Sequence, residues 1–561
     1  MRKKLAKLLI VALVLGLFPI SAGSVEVKKP LRVGLCYNTT AVTVGSLENV
    51  QGTGYAFGYY DTDRNFVKLG ETQETKVSVM RTWNVYLTSG GAYTEGSSGS
   101  VGVVGAYHVA LPGSYADFES AKAVADTVTD GFVTWIAGTY SVRRGSYASY
   151  AAAQAAVDTS GIEGAVVGET SAYGYSAVIT GTTRILFQFD ADVAGEEGAF
   201  GVQPGLEPGV KAVTAFKGEK FYGGFRFERI NSVYSTVVNM VNIEDYVKGV
   251  IPYEMSPSWP LEALKAQSVA ARTYAARKMQ MQSSNGHSRN YHFDICTSTD
   301  CQVYHGLGIA NDTTNRAVEE TAGKMAYYKG QLIEAVYSSS HGGASEDVKN
   351  VWGTDHPYLK GVIDPYEADV ADIAGNYKWT KTFTPAELKD RLQRIGKVSV
   401  NGDIVNFTTK KSELGNVISF TVTDTSGKNY TISRENVRSV LGTNSIRFDL
   451  TVSGGGGTAG YTIAERGDAV NDLTTQYAIS GDGTVAAISG DAYAITADGV
   501  TKLEPSSGVS AGMGGDVVYT LTGTGWGHSV GMSQWGAYAM AKRGMSYLDI
   551  LHFYYTDITV E

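Results

Sequence analysis

The alternation of apolar and polar positions predicts a chain that begins in short strands. Residues 31–37 (LRVGLCY) read as the first, followed by 55–60, 66–69 and 76–87. A pattern G-S-Y-A-x-aromatic-x-x-A-x-A then occurs twice, starting at Gly113 and again at Gly145. Each copy follows a β-type run (107–111, 140–144), enters an Ala-rich helical stretch and leads to another β run (132–137, 164–167). The expected unit is βαβ-βαβ, a small sheet with two helices on one face. Strand signals resume at 223–229 and 236–241. Residues 244–250 predict a short helix, stopped by Gly249 and Pro252. A longer helix follows, with Ser256 and Ser258 placed to cap it, Pro260 in its first turn, and Leu261, Leu264, Ser268, Ala271, Ala275 and Met279 on one inward face. The pattern is mixed α/β over 295–448. It becomes polar, Gly-rich and alternating over 454–515, as in an inserted loop or set of hairpins. It closes at 525–555 with a Gly-rich turn, a helix and an aromatic end.

Composition narrows the class. An apolar content of 43% with 18% charged residues is that of a globular protein, and 561 residues suggest two or three domains. The 67 Gly and 35 Tyr against 12 Pro suit a twisted, turn-rich β protein or a groove presenting rings to sugars. Arg2, Lys3, Lys4 and Lys7 precede an apolar run (8–20) and the small residues Ser21, Ala22 and Gly23, the pattern of an export signal, either cleaved or kept as an N-terminal anchor. Both readings place the protein outside the cytoplasm and limit membrane contact to that segment. Removing those four cations deepens the formal charge of −9 by four, a poor balance for binding nucleic acid.

Two groups of residues carry candidate chemistry. Glu254, flanked by Tyr253 and Met255 on a proline-fixed turn at a helix mouth, is placed for partial desolvation, which raises a carboxyl towards the pKa of a general acid. A surface loop carboxylate is the plain alternative. His292, Cys296, Cys301 and His305 form H-x3-C-x4-C-x3-H, a reasonable tetrahedral zinc set with His341 as an alternative ligand. A Cys296–Cys301 disulfide competes in an exported protein, and Cys36 stands alone.

The segment E-D-Y-V-K-G-V-I-P-Y-E-M (244–255), with S-W-P-L-E-A-L-K-A-Q (258–267) and A-A-R-T-Y (270–274), resembles the signature of the SpoIID/LytB family, the sporulation stage II protein D and amidase-enhancer group. Ser338-Ser339-Ser340-His341-Gly342-Gly343 with Glu346, Val351-Trp352-Gly353 and Pro357-Tyr358-Leu359 resembles a second family element, and residues 525–537 (GWGHSVGMSQWGA) a third. Ser529 departs from the family, which more often has Gly there. The resemblance spans most of 30–90 and 205–556. It implies a peptidoglycan lytic transglycosylase in which Glu254 protonates the glycosidic oxygen and the sugar's C6 hydroxyl attacks, leaving a 1,6-anhydro-N-acetylmuramic acid end. Asp245 or Glu262 is then a possible second carboxyl, each with a plain reading as a helix charge.

The same resemblance points to Gln267 and Arg272 as contacts to glycan or supports of Glu254, with bracing of the helix as the alternative. Ser339, His341, His528, Ser533 and Gln534 become further substrate-binding candidates, and Trp352, Trp526 and Trp535 are either sugar platforms or core. Some relatives carry zinc near the cysteines, which implies a structural or positioning metal. A non-catalytic enhancer of a wall amidase is the other role in the group. The repeated G-S-Y-A unit resembles a SPOR domain, a family that binds glycan strands stripped of stem peptides. The expected fold is α+β: a β-rich core with an inserted ferredoxin-like, SPOR-like domain. Its expected segments are 1–23 (signal or anchor), 24–104 (N-terminal strands), 105–180 (glycan-binding insert), 205–453 (catalytic core), 454–515 (Gly-rich insertion) and 516–561 (end of the core). Expected partners are peptidoglycan glycan strands, a wall amidase and other remodelling proteins.

Overall fold

The computed structural model describes residues 28–453 and 517–561 except 231–233, 283 and 376, and between 454 and 516 the backbone of six short strands. The expected signal, 1–23, lies outside the described residues, as does most of 454–515. The six strands pair as three hairpins, Tyr461–Ile463 with Asp468–Val470, Tyr477–Ile479 with Val485–Ala487, and Tyr493–Thr496 with Gly499–Lys502. Among the described residues no helix is long and apolar enough to cross a membrane.

The fold is α+β and rich in strands. A seven-stranded sheet has the order Ile295–Cys296, Leu31–Cys36, Ser235–Val241, Gly224–Arg229, Phe200–Pro204, Tyr55–Tyr60, Phe66–Thr72. A ten-stranded sheet faces it. Phenylalanines from the two sheets stack between them, Phe57 on Phe187 (ring centroids 5.5 Å apart) and Phe200 on Phe189 (5.3 Å). Offset stacking of this kind adds to the area the rings bury.

The duplicated G-S-Y-A stretch forms one end of the larger sheet. Helix α1 (Phe118–Ala125) is capped by Asp117, which accepts the Ser120 N–H, and helix α2 (Tyr150–Thr159) by Ser149, which accepts the Ala152 N–H. Their four strands lie in the order Val166–Gly168, Tyr107–Ala110, Thr139–Tyr147, Gly131–Ile136, each antiparallel to its neighbour. The unit is not set apart from the rest. Gly131–Ile136 runs parallel to Ile185–Asp190, and Tyr175–Ile179 joins that strand to Lys76–Arg81.

Two helices behind the sheets carry the first motif, and both correct the sequence reading. Helix α3 (Ile243–Glu254) does not stop at Gly249 or Pro252 but runs through them, so Glu254 sits in its last turn. Gly249 serves packing: a Cβ there would meet the Tyr304 ring at 2.5 Å. Pro252 forgoes one helix hydrogen bond, and the ladder closes again where Met255 N–H donates to Ile251 O (3.0 Å). Helix α4 (Leu261–Gln280) starts after Pro260 with no side-chain cap; Ser256 and Ser258 bond one another instead (2.9 Å). Its burial extends beyond one face, because α3 and the helices Asp312–Glu320, Gln534–Lys542 and Tyr547–Tyr554 all pack against it.

Residues 378–453 and 517–524 have a core of their own, centred on Leu388, Leu392, Phe407, Val422 and Leu521. It lies among two three-stranded sheets and the helices Pro385–Arg394 and Asn436–Leu441.

Candidate active site

The last turn of α3 delivers Glu254 to a point where three separate segments meet. Val303 N–H donates to its Oε1 (2.8 Å) and Gln534 Nε2 to its Oε2 (3.2 Å). The Tyr337 hydroxyl is the third polar neighbour. That hydroxyl accepts from Gln302 Nε2 (3.0 Å), leaving its own proton for the carboxyl, and Gln302 Oε1 in turn accepts from the Tyr246 hydroxyl (3.0 Å). Burial pushes the Glu254 carboxyl above the usual range, opposed by the donors Val303, Gln534 and Tyr337. The Tyr337 phenol is raised far more, by burial and then by the carboxyl beside it. Such a site fixes the direction of the carboxyl and raises its proton affinity above that of an exposed glutamate.

Asp245 and Glu262 are engaged elsewhere, Asp245 with Lys211 and Glu262 with Lys265 (2.8 Å) and the Tyr547 N–H (2.8 Å). The three polar neighbours of Glu254 are a backbone amide, a side-chain amide and a phenol; none is a carboxyl group.

Of the expected substrate-binding residues, Gln534 alone is placed against Glu254. Arg272 is a brace: it is fully buried, grips Glu244 through Nε (2.8 Å) and Nη2 (2.7 Å), and donates to the Lys324 and Val318 carbonyls. Gln267 is equally buried, with neither side-chain polar atom paired. His341 is enclosed, its ring edge-on to Tyr554, and burial lowers its pKa to about 3, so it is a neutral core residue. Ser533 caps the Gln534–Lys542 helix and donates to the buried Glu367. Glu367 also accepts from the Ser340 hydroxyl and the His341, Gly342 and Gly343 amides, tying the second and third motifs together. His528 acts through Tyr337: its Nε2 donates to the Tyr337 carbonyl (2.9 Å) and its Nδ1 accepts the Val530 N–H (3.1 Å). Burial holds His528 near a pKa of about 3 and therefore neutral. Ser339 is partly exposed and accepts the Trp535 N–H on its carbonyl (3.0 Å).

Ser529 adopts φ +63°, the left-handed conformation that favours the glycine more usual there. Trp535 packs with Trp259 (4.6 Å) and Tyr538 (5.5 Å) next to Gln534. Trp352 lies against the His528 ring (5.1 Å), whereas Trp526 is substantially exposed.

The expected metal quartet is not assembled. His292 donates from Nδ1 to Glu228 (2.5 Å), which raises its pKa, and the exposed His305 lies 3.9 Å from Glu219. The histidine that joins the two sulfurs is His287: its ring nitrogen and the Cys296 and Cys301 Sγ atoms lie within 4.8 Å of one another. His341 is remote from this set, enclosed against Tyr554. The cysteines are unbonded thiols, and a hydrogen bond between them lowers Cys296 and raises Cys301. Two sulfurs and an imidazole at that spacing suit a zinc ion with one position left over. Residues 302 and 303, which follow directly, hold Tyr337 and Glu254.

The stage II sporulation protein (SpoIID) family profile matches residues 232–328, which include α3, α4 and the cysteine loop. A protein of Brachyspira hyodysenteriae described as uncharacterised is 32% identical over 61% of this chain and 73% of its own length. The chain belongs to the SpoIID family. Within that family, stage II sporulation protein D of Bacillus subtilis is 29% identical over 58% of this chain and 76% of its own. The amidase enhancer of the same organism is 33% identical over 56% of this chain, which covers 40% of that relative.

No spacing in the sequence pointed to Tyr337, Gln302 or Glu367. Tyr337 directly precedes the second motif, and strand alternation there would have turned its side chain opposite to Ser338.

Proposed function

We propose that this chain is an exported lytic transglycosylase that cuts the MurNAc–GlcNAc bond of peptidoglycan, with Glu254 as its acid and base. The observation that carries the reading is a desolvated, upward-shifted carboxyl whose polar partners are all hydrogen-bond donors. A hydrolase of the usual kind needs a second carboxyl group to act as base or nucleophile. In the proposed reaction Glu254 gives its proton to the leaving GlcNAc oxygen as the bond to C1 breaks. The C6 hydroxyl of the same muramyl sugar then bonds to C1 and returns a proton to Glu254, so no water is consumed. Trp259, Trp535 and Tyr538 form a ring cluster next to Gln534, which is read as a surface for sugar stacking.

Two further roles belong to this reading. His287, Cys296 and Cys301 would hold zinc as a clasp on the loop leading to Gln302 and Val303; the ion supplies rigidity and the residues supply the chemistry. The 107–168 unit is read as a SPOR-like module for peptide-free glycan, supported by its strand order, fourth-first-third-second as in ferredoxin-like units. The stage II sporulation relatives suggest a part in sporulation-type wall remodelling outside the cytoplasm.

A second reading, a binding protein that enhances a wall amidase, is favoured by the likeness to the amidase enhancer. One experiment separates them: incubate the purified protein with intact and with peptide-free peptidoglycan and identify product ends by mass. Anhydro-muramyl ends that disappear in Glu254→Gln, with the fold intact by circular dichroism, are expected. Undiminished release by that variant would remove Glu254 from the chemistry. No release by the wild type, together with stimulation of an added amidase, would establish the enhancer.

A further inference from the structure

Away from Glu254, the solvent face of the sheet formed by Lys378–Phe383, Val518–Thr524 and Phe448–Ser453 carries a depression of about 670 Å³. The register sets Lys378 opposite Thr524, and Asp449 opposite Thr522. Residues two apart on a strand share a face, so these four side chains stand on one side of the sheet. Trp379 and Phe448, one position away, pack into the core beneath. Lys411 enters from the neighbouring hairpin and Arg447 from the residue preceding its strand.

Three cations therefore meet one carboxylate, in a chain whose formal charge is −9. Lys411 pairs with Asp449. Arg447 spends Nη1 on the Leu414 carbonyl (2.7 Å) and Asn416 (3.4 Å), which fixes its guanidinium, and its Nη2 has no hydrogen-bond acceptor among the described residues. Lys378 is exposed and has no ion pair among the described residues. Thr380, Thr522 and Thr524 line the floor together with Trp379 and Phe448. The cations suit a fixed negative charge, and the threonine hydroxyls with the partly exposed Trp379 ring suit a sugar.

We infer that this depression is a second carbohydrate site, binding a saccharide that bears a carboxylate or a phosphate. It requires nothing of the chemistry at Glu254. The strand at its centre runs on through Thr524, whose hydroxyl donates to the Gly342 carbonyl (2.8 Å), to Trp526 and the third motif. Polymer held here therefore lies on the strand that leads into the motif carrying Gln534.

The test is calorimetric titration of the full chain with two probes, a peptide-free GlcNAc–MurNAc tetrasaccharide and N-acetylglucosamine 1-phosphate, at low and at physiological salt. At least one probe is expected to bind, more weakly at the higher salt. The double variant Lys378→Glu/Lys411→Glu should lose about tenfold or more in affinity, because both reversals face the ligand. Lys410→Glu, on the other face of its strand, should stay within about twofold of the wild type. Thr522→Tyr, which fills the floor without touching charge, should weaken binding as well. Melting curves of each variant separate lost binding from lost fold. Carboxylate-only or phosphate-only binding names the source of the ligand and supports the site. Failure of both probes, or affinity unmoved in folded variants, overturns it, and neither result bears on release of anhydro ends.

Discussion

At the scale of single residues, Tyr337 is the group whose removal tells most about the surroundings of Glu254. Its hydroxyl is among the donors that hold down the Glu254 pKa, against the burial that raises it. Tyr337→Phe should therefore raise that pKa further and move the high-pH limb of the lytic rate upward, since the acid keeps its proton to higher pH. The loss of orientation should lower kcat by about tenfold, less than the loss of a positioned catalytic acid itself would cost. A pH–rate profile checks both; an unmoved limb would separate the phenol from the acid. Legibility at this scale was uneven. Glu254 and Gln534 stand 280 positions apart in sequence yet share a hydrogen bond, and both lie in family motifs. Arg272 and His341 lie in the same motifs but point into the protein, because a motif records which side chains are required and not which way they face. The four-residue spacing His292–Cys296 looked like a ligand pair, but His292 takes a left-handed backbone conformation and turns to Glu228. His287, at the start of the short helix that His292 ends, reaches the sulfurs instead.

At the scale of elements, the cysteine loop is the most informative segment. Cys296 and Cys301 anchor it, and the next two residues supply Gln302 for Tyr337 and the Val303 amide for Glu254. If His287, Cys296 and Cys301 bind zinc, purified protein should carry about one equivalent, and Cys296→Ser should lose it. Lytic activity should fall in parallel, because the loop is no longer pinned. Elemental analysis decides the first point, and absence of metal from the wild-type protein would end the zinc reading. The helices were legible in existence and less so in extent. Glycine and proline signalled a stop in α3, but buried contacts on both sides carry the helix past them: Tyr304 occupies the space at Gly249, and Ile251 accepts the Met255 amide. Local punctuation is a weak signal against that much tertiary packing.

At the scale of the whole molecule, the duplicated G-S-Y-A stretch was readable as helices and strands from its own residues. Its place in a ten-stranded sheet was not, because the strands that continue the sheet, Ile185–Asp190 and Tyr175–Ile179, come after it in the chain. That placement has a cost for engineering. Deleting 107–168 would strip Ala121, Ala125, Val133 and Val142 from the shared core and bare the edge of Ile185–Asp190. The two valines alone represent about 3 kcal/mol or more of burial, a large part of ordinary domain stability. The deletion is expected to aggregate or to melt at much lower temperature. Tyr150→Ala, at a residue 55% exposed on α2, should leave the melting temperature unchanged and weaken binding to peptide-free glycan. Thermal unfolding and pull-down on denuded wall material check the pair.

One feature of α3 reaches beyond position. Glu254 occupies the end of a helix where unsatisfied carbonyls concentrate partial negative charge, and a second negative charge is least welcome there. The axial dipole of the helix thus acts in the same direction as burial and favours the protonated carboxyl. Acidity at this position is then a property of the folded helix rather than of the side chain. Fraying of its last turn would remove both influences and return the carboxyl to its ordinary range, so the turn that bridges Pro252 also sets how tightly the proton is held.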